Sequence, residues 1–479
     1  MLTTPLTSTL RQGVNWRNIL ILLLAAVPLG LVNYIPLPAD LSYTGARAMA
    51  VLFIAVTLWI TEIVHPAVTA LFILALLPLM QIITFEKALA GFADTSIILL
   101  IAIYILSAAM LQSGLDRRLA FLLLNLSRGS IQLNLLLVAV TVMAFTFLIP
   151  TSTGRAALMA PICVGIVNAI GLKPGSNVGK AIFLMVSFTS LIFSNSIMTG
   201  SLSMVYATGL FQQIAGYTWT YLSWMTVMLP GSLITIFLVW LMLLKVFPPE
   251  LKGLDNGLKY IKEQLSLMGP LTAAEKKVAF LFLGMLAMWV TNFLHHLPVA
   301  LPALLAATLS FFPGFNLHSW KEAVQKVDWG TVILFAGSLS LATGLTETGA
   351  MGWFATIAFG NMKTGSLAFL GLMVMLIAMV IRLGFNSVLA AATVILPMVL
   401  TLAMKLGLNP IWLGMIGAVA SDLCMFLPTQ SPSLLATYGM GFYSTRDTLK
   451  AGSLATLCLV TVTLIMAMFY WPLVGVAPQ

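Results

Sequence analysis

Apolar runs close to the ~20 residues that cross a bilayer recur along the chain, with short polar breaks between them. The pattern predicts spans at about 18–35, 46–63, 67–83, 96–113, 221–246, 278–293, 301–312, 328–349 and 451–470. Two further apolar stretches, about 178–210 and 411–438, are interrupted partway by Ser194-Asn195-Ser196 with Thr199-Gly200-Ser201, and by Pro428-Thr429-Gln430-Ser431-Pro432. Two more, Gln132 to Ile170 and Leu367 to Met404, read as re-entrant hairpins. The first breaks at Pro150-Thr151-Ser152-Thr153-Gly154-Arg155 and the second at Arg382-Leu383-Gly384-Phe385-Asn386-Ser387. Proline removes a backbone donor and clashes with the preceding turn, so a helix should stop there. In lipid such a break survives only where protein or a water-filled cavity surrounds it. The segment Leu115 to Arg128 is amphipathic and predicts an interfacial helix.

Composition agrees. Of 479 residues, 60% are hydrophobic and 8% charged, against about 25% charged in soluble domains. The mean hydropathy is +1.04. The class is an all-α polytopic membrane protein. The first apolar run lacks a small-residue cleavage site and reads as a retained span. Cys163, Cys424 and Cys458 all lie in apolar segments without metal-ligand spacing, so neither a disulfide framework nor a metal site is expected.

The net charge of +9 is spread along loops, which argues for membrane topology and against nucleic acid. With the N-terminus inside, eleven spans and two hairpins entering from opposite faces, 17 of the 23 Lys and Arg fall inside. Arg47, Lys87, Lys363 and Lys405 fall outside, while Arg155 and Arg382 sit within the hairpins. This places the protein in the cytoplasmic (inner) membrane as a multi-pass protein. The spacing also repeats: Asp94, Gly114 and Pro161 are separated by 20 and 47 residues, and Asp328, Gly349 and Pro397 by 21 and 48. With the halves oppositely oriented, this is an inverted repeat, the pattern of a duplicated transporter.

Paired breaks point to a substrate site. A returning half-helix offers free N–H groups at its positive end, and Thr151, Ser152 and Thr153 add hydroxyls, a chemistry suited to carboxylate or sulfate oxygens. The bland reading is an ordinary helix cap. Arg155 and Arg382 are costly within a membrane and suit bidentate anion binding, or a structural pair with a backbone carbonyl or with Asp422. Asp422, mid-span by count, is a candidate for coupling or ion pairing. Glu62 is expected to orient the corner beside His65, and His295, His296 and His318 to lie at span edges. An enzyme would need a nucleophile with its base or a metal cluster; four His, none beside Asp422, argue against one. No GxxxxGK[ST] loop is present to drive transport with ATP.

Several segments together resemble the divalent anion:sodium symporter family of the ion-transporter superfamily, over nearly the whole chain. Trp59-Ile60-Thr61-Glu62 with Pro66-Ala67-Val68-Thr69-Ala70 resembles its WxTE corner, and Val327-Asp328-Trp329-Gly330 through Gly337 its DWG segment. Leu427-Pro428-Thr429-Gln430-Ser431-Pro432-Ser433 resembles its LPxATPPN break. The resemblance implies a homodimer with a scaffold part and a mobile transport part moving like an elevator. It implies C4-dicarboxylate, citrate-like or sulfate-like substrates, sodium as the coupling ion and no other cofactor. The family's Ser-Asn-Thr tip triplet matches Thr151-Ser152-Thr153, with serine for asparagine, and Ser387-Val388-Leu389, with Asn386 one position early.

By the same resemblance, substrate contacts fall on Thr151, Ser152, Thr153, Ser201, Asn386, Ser387, Ser431 and Pro432. Cation contacts fall on Thr151, Ser152, Gly200, Ser387 and Gln430. The expected division is 1–95 (first span and scaffold helices), 96–247 (first hairpin and transport helices), 248–277 (a cytoplasmic loop), 278–327 (scaffold helices of the second repeat) and 328–479 (second hairpin and transport helices). Because Arg155, Arg382 and Asp422 enter the region where sodium would bind, an anion exchanger or proton-coupled transporter with weak sodium dependence stays open beside sodium symport.

Overall fold

The computed structural model describes residues 16–34, 36–38, 40–251, 253–359, 366–385, 387–423 and 425–479, and among these no strand occurs. Asn386, Lys363 and Cys424, named above, lie outside the described residues.

The chain opens with α1 (Trp16–Leu31), α2 (Tyr43–Thr61), α3 (Pro66–Leu79) and the short α4 (Phe85–Leu89). Asp94 caps α5 (Thr95–Ser113) by accepting from the Ser96 N–H at 2.8 Å. Gly114, with φ of 78°, then turns the chain into the amphipathic α6 (Leu115–Asn125). The first hairpin is α7 (Ile131–Thr146) and α8 (Ser152–Ala169). The first broken helix is α9 (Asn177–Ile192), one 3₁₀ turn, and α10 (Leu202–Ala215); the long α11 (Tyr221–Val246) closes this half. After α12 (Asp255–Leu267), the order returns: α13 (Ala273–Val290), the single-turn α14 (Asn292–His295), α15 (Ala300–Leu309) and the short α16 (Trp320–Lys326). Asp328 caps α17 (Trp329–Glu347), and α18 (Ala350–Phe359) follows. The second hairpin is α19 (Leu367–Leu383) and α20 (Val388–Lys405). The second broken helix is α21 (Pro410–Ser421) and α22 (Pro432–Tyr438), and α23 (Thr445–Ile465) ends the series.

Apart from the single-turn α14, the two halves match helix for helix, from α2 to α11 and from α13 to α23. The corners match in atomic detail. Trp59 Nε1 donates to Pro66 O at 3.4 Å, and Trp289 Nε1 to Val299 O at 2.8 Å. His65 Nδ1 accepts from the Ala67 N–H, and His295 Nδ1 from the Leu297 N–H. Packing is exchanged in the same sense: α3 lies on α17 as α15 lies on α5, and α8 on α22 as α20 on α10. A pairwise exchange of this kind is what an approximate two-fold axis produces.

Three expectations need correcting. Residues 248–277 are not a plain loop, since α12 forms within them and packs on α6 and α8. There Gly257 leaves room for Ile166 and Ile170, and Tyr260 reaches Gly165. The helix α18 was invisible in the sequence because, unlike α6 with Asp116, Arg117 and Arg118, it carries no charges to mark a polar face. The second break is also longer than the proline cluster suggests. It opens at Asp422, the C-cap of α21, so Asp422 is not mid-span. Proline suits the first position of a helix: Pro432 opens α22, and so marks where the break ends.

Candidate functional site

Four helices begin at the two tips and the two breaks, and each is capped by a hydroxyl. Thr151 accepts from the Gly154 N–H at 3.2 Å, Ser387 from Ala390 at 3.3 Å, Ser201 from Met204 at 3.3 Å and Ser431 from Ser433 at 3.3 Å. These caps leave the hydroxyl hydrogens free to donate elsewhere. Thr151, Ser152, Thr153, Ser201, Ser387 and Pro432 all line one cavity of about 670 Å³, joined by Ser194, Ser203 and Asp422. It is therefore walled by the positive ends of α8, α10, α20 and α22, an arrangement that favours a bound anion. The same cavity is lined by Tyr104 of α5, Glu62 at the end of α2, Asp328, and Thr331 and Leu334 of α17. His65 meets Gly330 closely, which brings the Glu62 and Asp328 ends together. Ser431 is fully buried behind Pro432, where its hydroxyl pairs with that of Ser433 at 2.8 Å.

The two arginines are the main finding. Both are fully buried. Arg155 Nη1 donates to Ile149 O at the first tip (2.7 Å) and to Gly200 O at the first break (2.8 Å). Its Nη2 donates to Ser190 O at 2.8 Å and to Ser194 Oγ at 2.5 Å. Arg382 Nη1 donates to Phe385 O at the second tip, and its Nη2 to Gln430 O at the second break, 2.8 Å away. Ile149 and Phe385 are repeat equivalents, as are Gly200 and Gln430. The arginines themselves are not equivalent: Arg155 comes from the returning limb α8, Arg382 from the outgoing limb α19. Two unrelated positions thus deliver a guanidinium to the same carbonyl cradle in each half. The Gly200 and Gln430 carbonyls, named above among the cation contacts, accept here from arginine side chains.

Asp422 lies at the second break, 4% exposed, where it accepts from Ser203 Oγ at 2.6 Å and from Ser201 Oγ at 3.3 Å. It stands within electrostatic reach of both guanidiniums. A pair of buried positive groups needs such compensation, because desolvating an unpaired charge is costly. The signal that sequence reading missed is the recurrence of Trp59-Ile60-Thr61-Glu62 as Trp289-Val290-Thr291-Asn292, which would have extended the repeat to the scaffold corners.

Mirrored hairpins and broken helices around an anion-favouring cavity define a membrane carrier for a small anion, driven without ATP. The chain belongs to the family described as "Sodium:sulfate symporter transmembrane region", whose model matches residues 15–477. Among its relatives, a "Membrane protein" of Cupriavidus necator is 27% identical over 94% of this chain and 92% of its own length. The "Sodium-dependent dicarboxylate transporter SdcS" of Staphylococcus saprophyticus is 26% identical over 91% of this chain and 88% of its own. The SdcS of Staphylococcus aureus is also 26% identical, with the same coverage. In fold, the chain is similar to MtrF of Neisseria gonorrhoeae (TM-score 0.57, 13% identity, covering 95% of this chain and 94% of that one). It is similar also to the YdaH transporter of Alcanivorax borkumensis (TM-score 0.54, 13% identity, covering 97% and 98%). The protein is accordingly a secondary transporter of divalent anions, and not an enzyme.

Proposed function

We propose that the protein exchanges C4-dicarboxylate, citrate-like or sulfate-like anions by elevator-type alternating access, with Arg155 and Arg382 supplying the positive charge that sodium supplies in a symporter. The carrying observation is the pair of carbonyl cradles filled by guanidinium groups. Burying a dianion requires compensating positive charge. A fixed guanidinium meets that need but cannot dissociate, so it cannot couple transport to a sodium gradient. Instead, an empty carrier keeps its buried charge and resists crossing, while a loaded one is neutralised, which favours exchange over net flow.

The charge bias of the loops supports an inner-membrane protein with the N-terminus and α12 in the cytoplasm and the two repeats inverted. The cavity then opens inward past Glu62 and Asp328. A homodimer held by the scaffold helices accords with the family resemblance. The printed names of the family and of SdcS favour the competing reading, sodium symport. Uptake of radiolabelled succinate, citrate or sulfate into proteoliposomes separates the two. Exchange predicts uptake into vesicles preloaded with unlabelled anion and free of sodium; symport predicts uptake only under an inward sodium gradient.

A further inference from the structure

We infer that Asp422 is a proton-binding site of the transport cycle, loaded together with the anion. This inference rests on the carrier reading above and concerns the same cavity. Its basis is a count of hydrogens. Four oxygens, the two of the Asp422 carboxylate and the Ser201 and Ser203 hydroxyls, make three contacts: Ser203 to Asp422 Oδ1 at 2.6 Å, Ser201 to Asp422 Oδ2 at 3.3 Å, and Ser201 to Ser203 at 2.8 Å. Two hydroxyls bring two hydrogens. With Asp422 ionised, one of the three contacts is an oxygen facing an oxygen with nothing between them, in a buried site where an unmade hydrogen bond is costly.

A proton on Asp422 completes the set. Asp422 Oδ1 then donates to Ser203, Ser203 to Ser201, and Ser201 to Asp422 Oδ2, a closed ring in which each residue donates once and accepts once. The equivalent break in the first half has no carboxylate, although its partner pair Ser431 and Ser433 has the same 2.8 Å contact. The ring is therefore an addition to the repeat, not a requirement of it.

The surroundings favour proton binding when the anion is present. Arg155 of α8 and Arg382 of α19 stand within electrostatic reach of Asp422. The α10 helix contributes no charged residue, α20 only Lys405 at its far end, and α23 only Arg446, Asp447 and Lys450 in its first turns, with Asp447 paired to Lys180. The same cavity is lined by Glu62, Tyr104 and Asp328. A dianion seated at Thr151, Ser201 and Ser387 takes up the field of both guanidiniums and adds negative charge beside Asp422. Proton and anion binding are then mutually favourable, and by linkage each strengthens the other equally. The loaded unit, two guanidiniums with a dianion and a neutral Asp422, carries no net charge.

The test uses the full-length protein with whichever of succinate, citrate and sulfate shows saturable sodium-free exchange. In weakly buffered solution with a pH indicator, wild type is expected to take up about one proton per dianion bound. Its affinity should fall as pH rises, approaching about tenfold per pH unit. Asp422→Asn should take up no proton and show an affinity that no longer varies with pH. Should that variant fail to fold, Ser203→Ala opens the ring and should move the midpoint of the pH dependence. Anion binding by wild type without proton uptake would overturn the proton site while leaving the carrier reading intact. Proton uptake that persists in Asp422→Asn, or a midpoint unmoved in Ser203→Ala, would overturn it as well.

Discussion

At the scale of single residues, the sequence exposed the unusual groups but not their arrangement. Arg155 and Arg382 stand out because charge in a membrane segment is expensive. Aligned by the repeat, however, Arg155 faces Ala391 and Arg382 faces Thr146. Nothing in that alignment says that both guanidiniums end in equivalent cradles; only the path of each side chain does. The geometry gives two expectations. Arg382→Gln leaves the Phe385 and Gln430 carbonyls short of donors, at about 1–3 kcal/mol for each group stranded. A lower melting temperature and at least a tenfold loss of exchange should follow, as they should for Arg155→Gln. Thr153, on the cavity wall, is different. Thr153→Val should keep the melting temperature and weaken anion affinity by about 1–3 kcal/mol if the hydroxyl meets the anion. Unchanged affinity would remove Thr153 from the site.

At the scale of elements, apolar runs and breaks located nearly every helix, because length and hydropathy are strong signals in a membrane chain. The extent of a break was less legible, since proline marks where the next helix starts better than where the last one ends. Close backbone approach is invisible too. A Cβ at Gly452 would lie 1.7 Å from Met425 O, so α23 passes the second break with no room for a methyl group. At Gly200, it would lie 2.2 Å from Ser194 O within the first break. Gly452→Ala should therefore push the second break away from α23 and lower both melting temperature and exchange. Gly284→Ala, on the open side of α13, should change neither. Equal effects at the two positions would show that α23 does not hold the break.

At the scale of the molecule, the repeat was legible from three spaced residues in each half, and its extension to the Trp59 and Trp289 corners is carried by a weaker sequence recurrence that matching hydrogen bonds bring out. Orientation still rests on loop charge. A cysteine at the exposed Lys259 of α12 should react with impermeant reagents only from the cytoplasmic side, and one at the exposed Glu86 of α4 only from outside. The reverse pattern would invert the topology.

Guanidinium groups that take the place of sodium would leave anion affinity independent of the sodium concentration. Anion affinity is determined on purified wild-type protein by thermal shift at graded sodium concentrations, with ionic strength held constant by choline. A ligand that binds only the folded state raises its stability by mass action, and co-bound sodium would make that effect sodium-dependent. The account predicts a flat line: the same affinity with and without sodium. An affinity that climbs steadily with sodium would contradict it, and would return the protein to sodium-coupled symport.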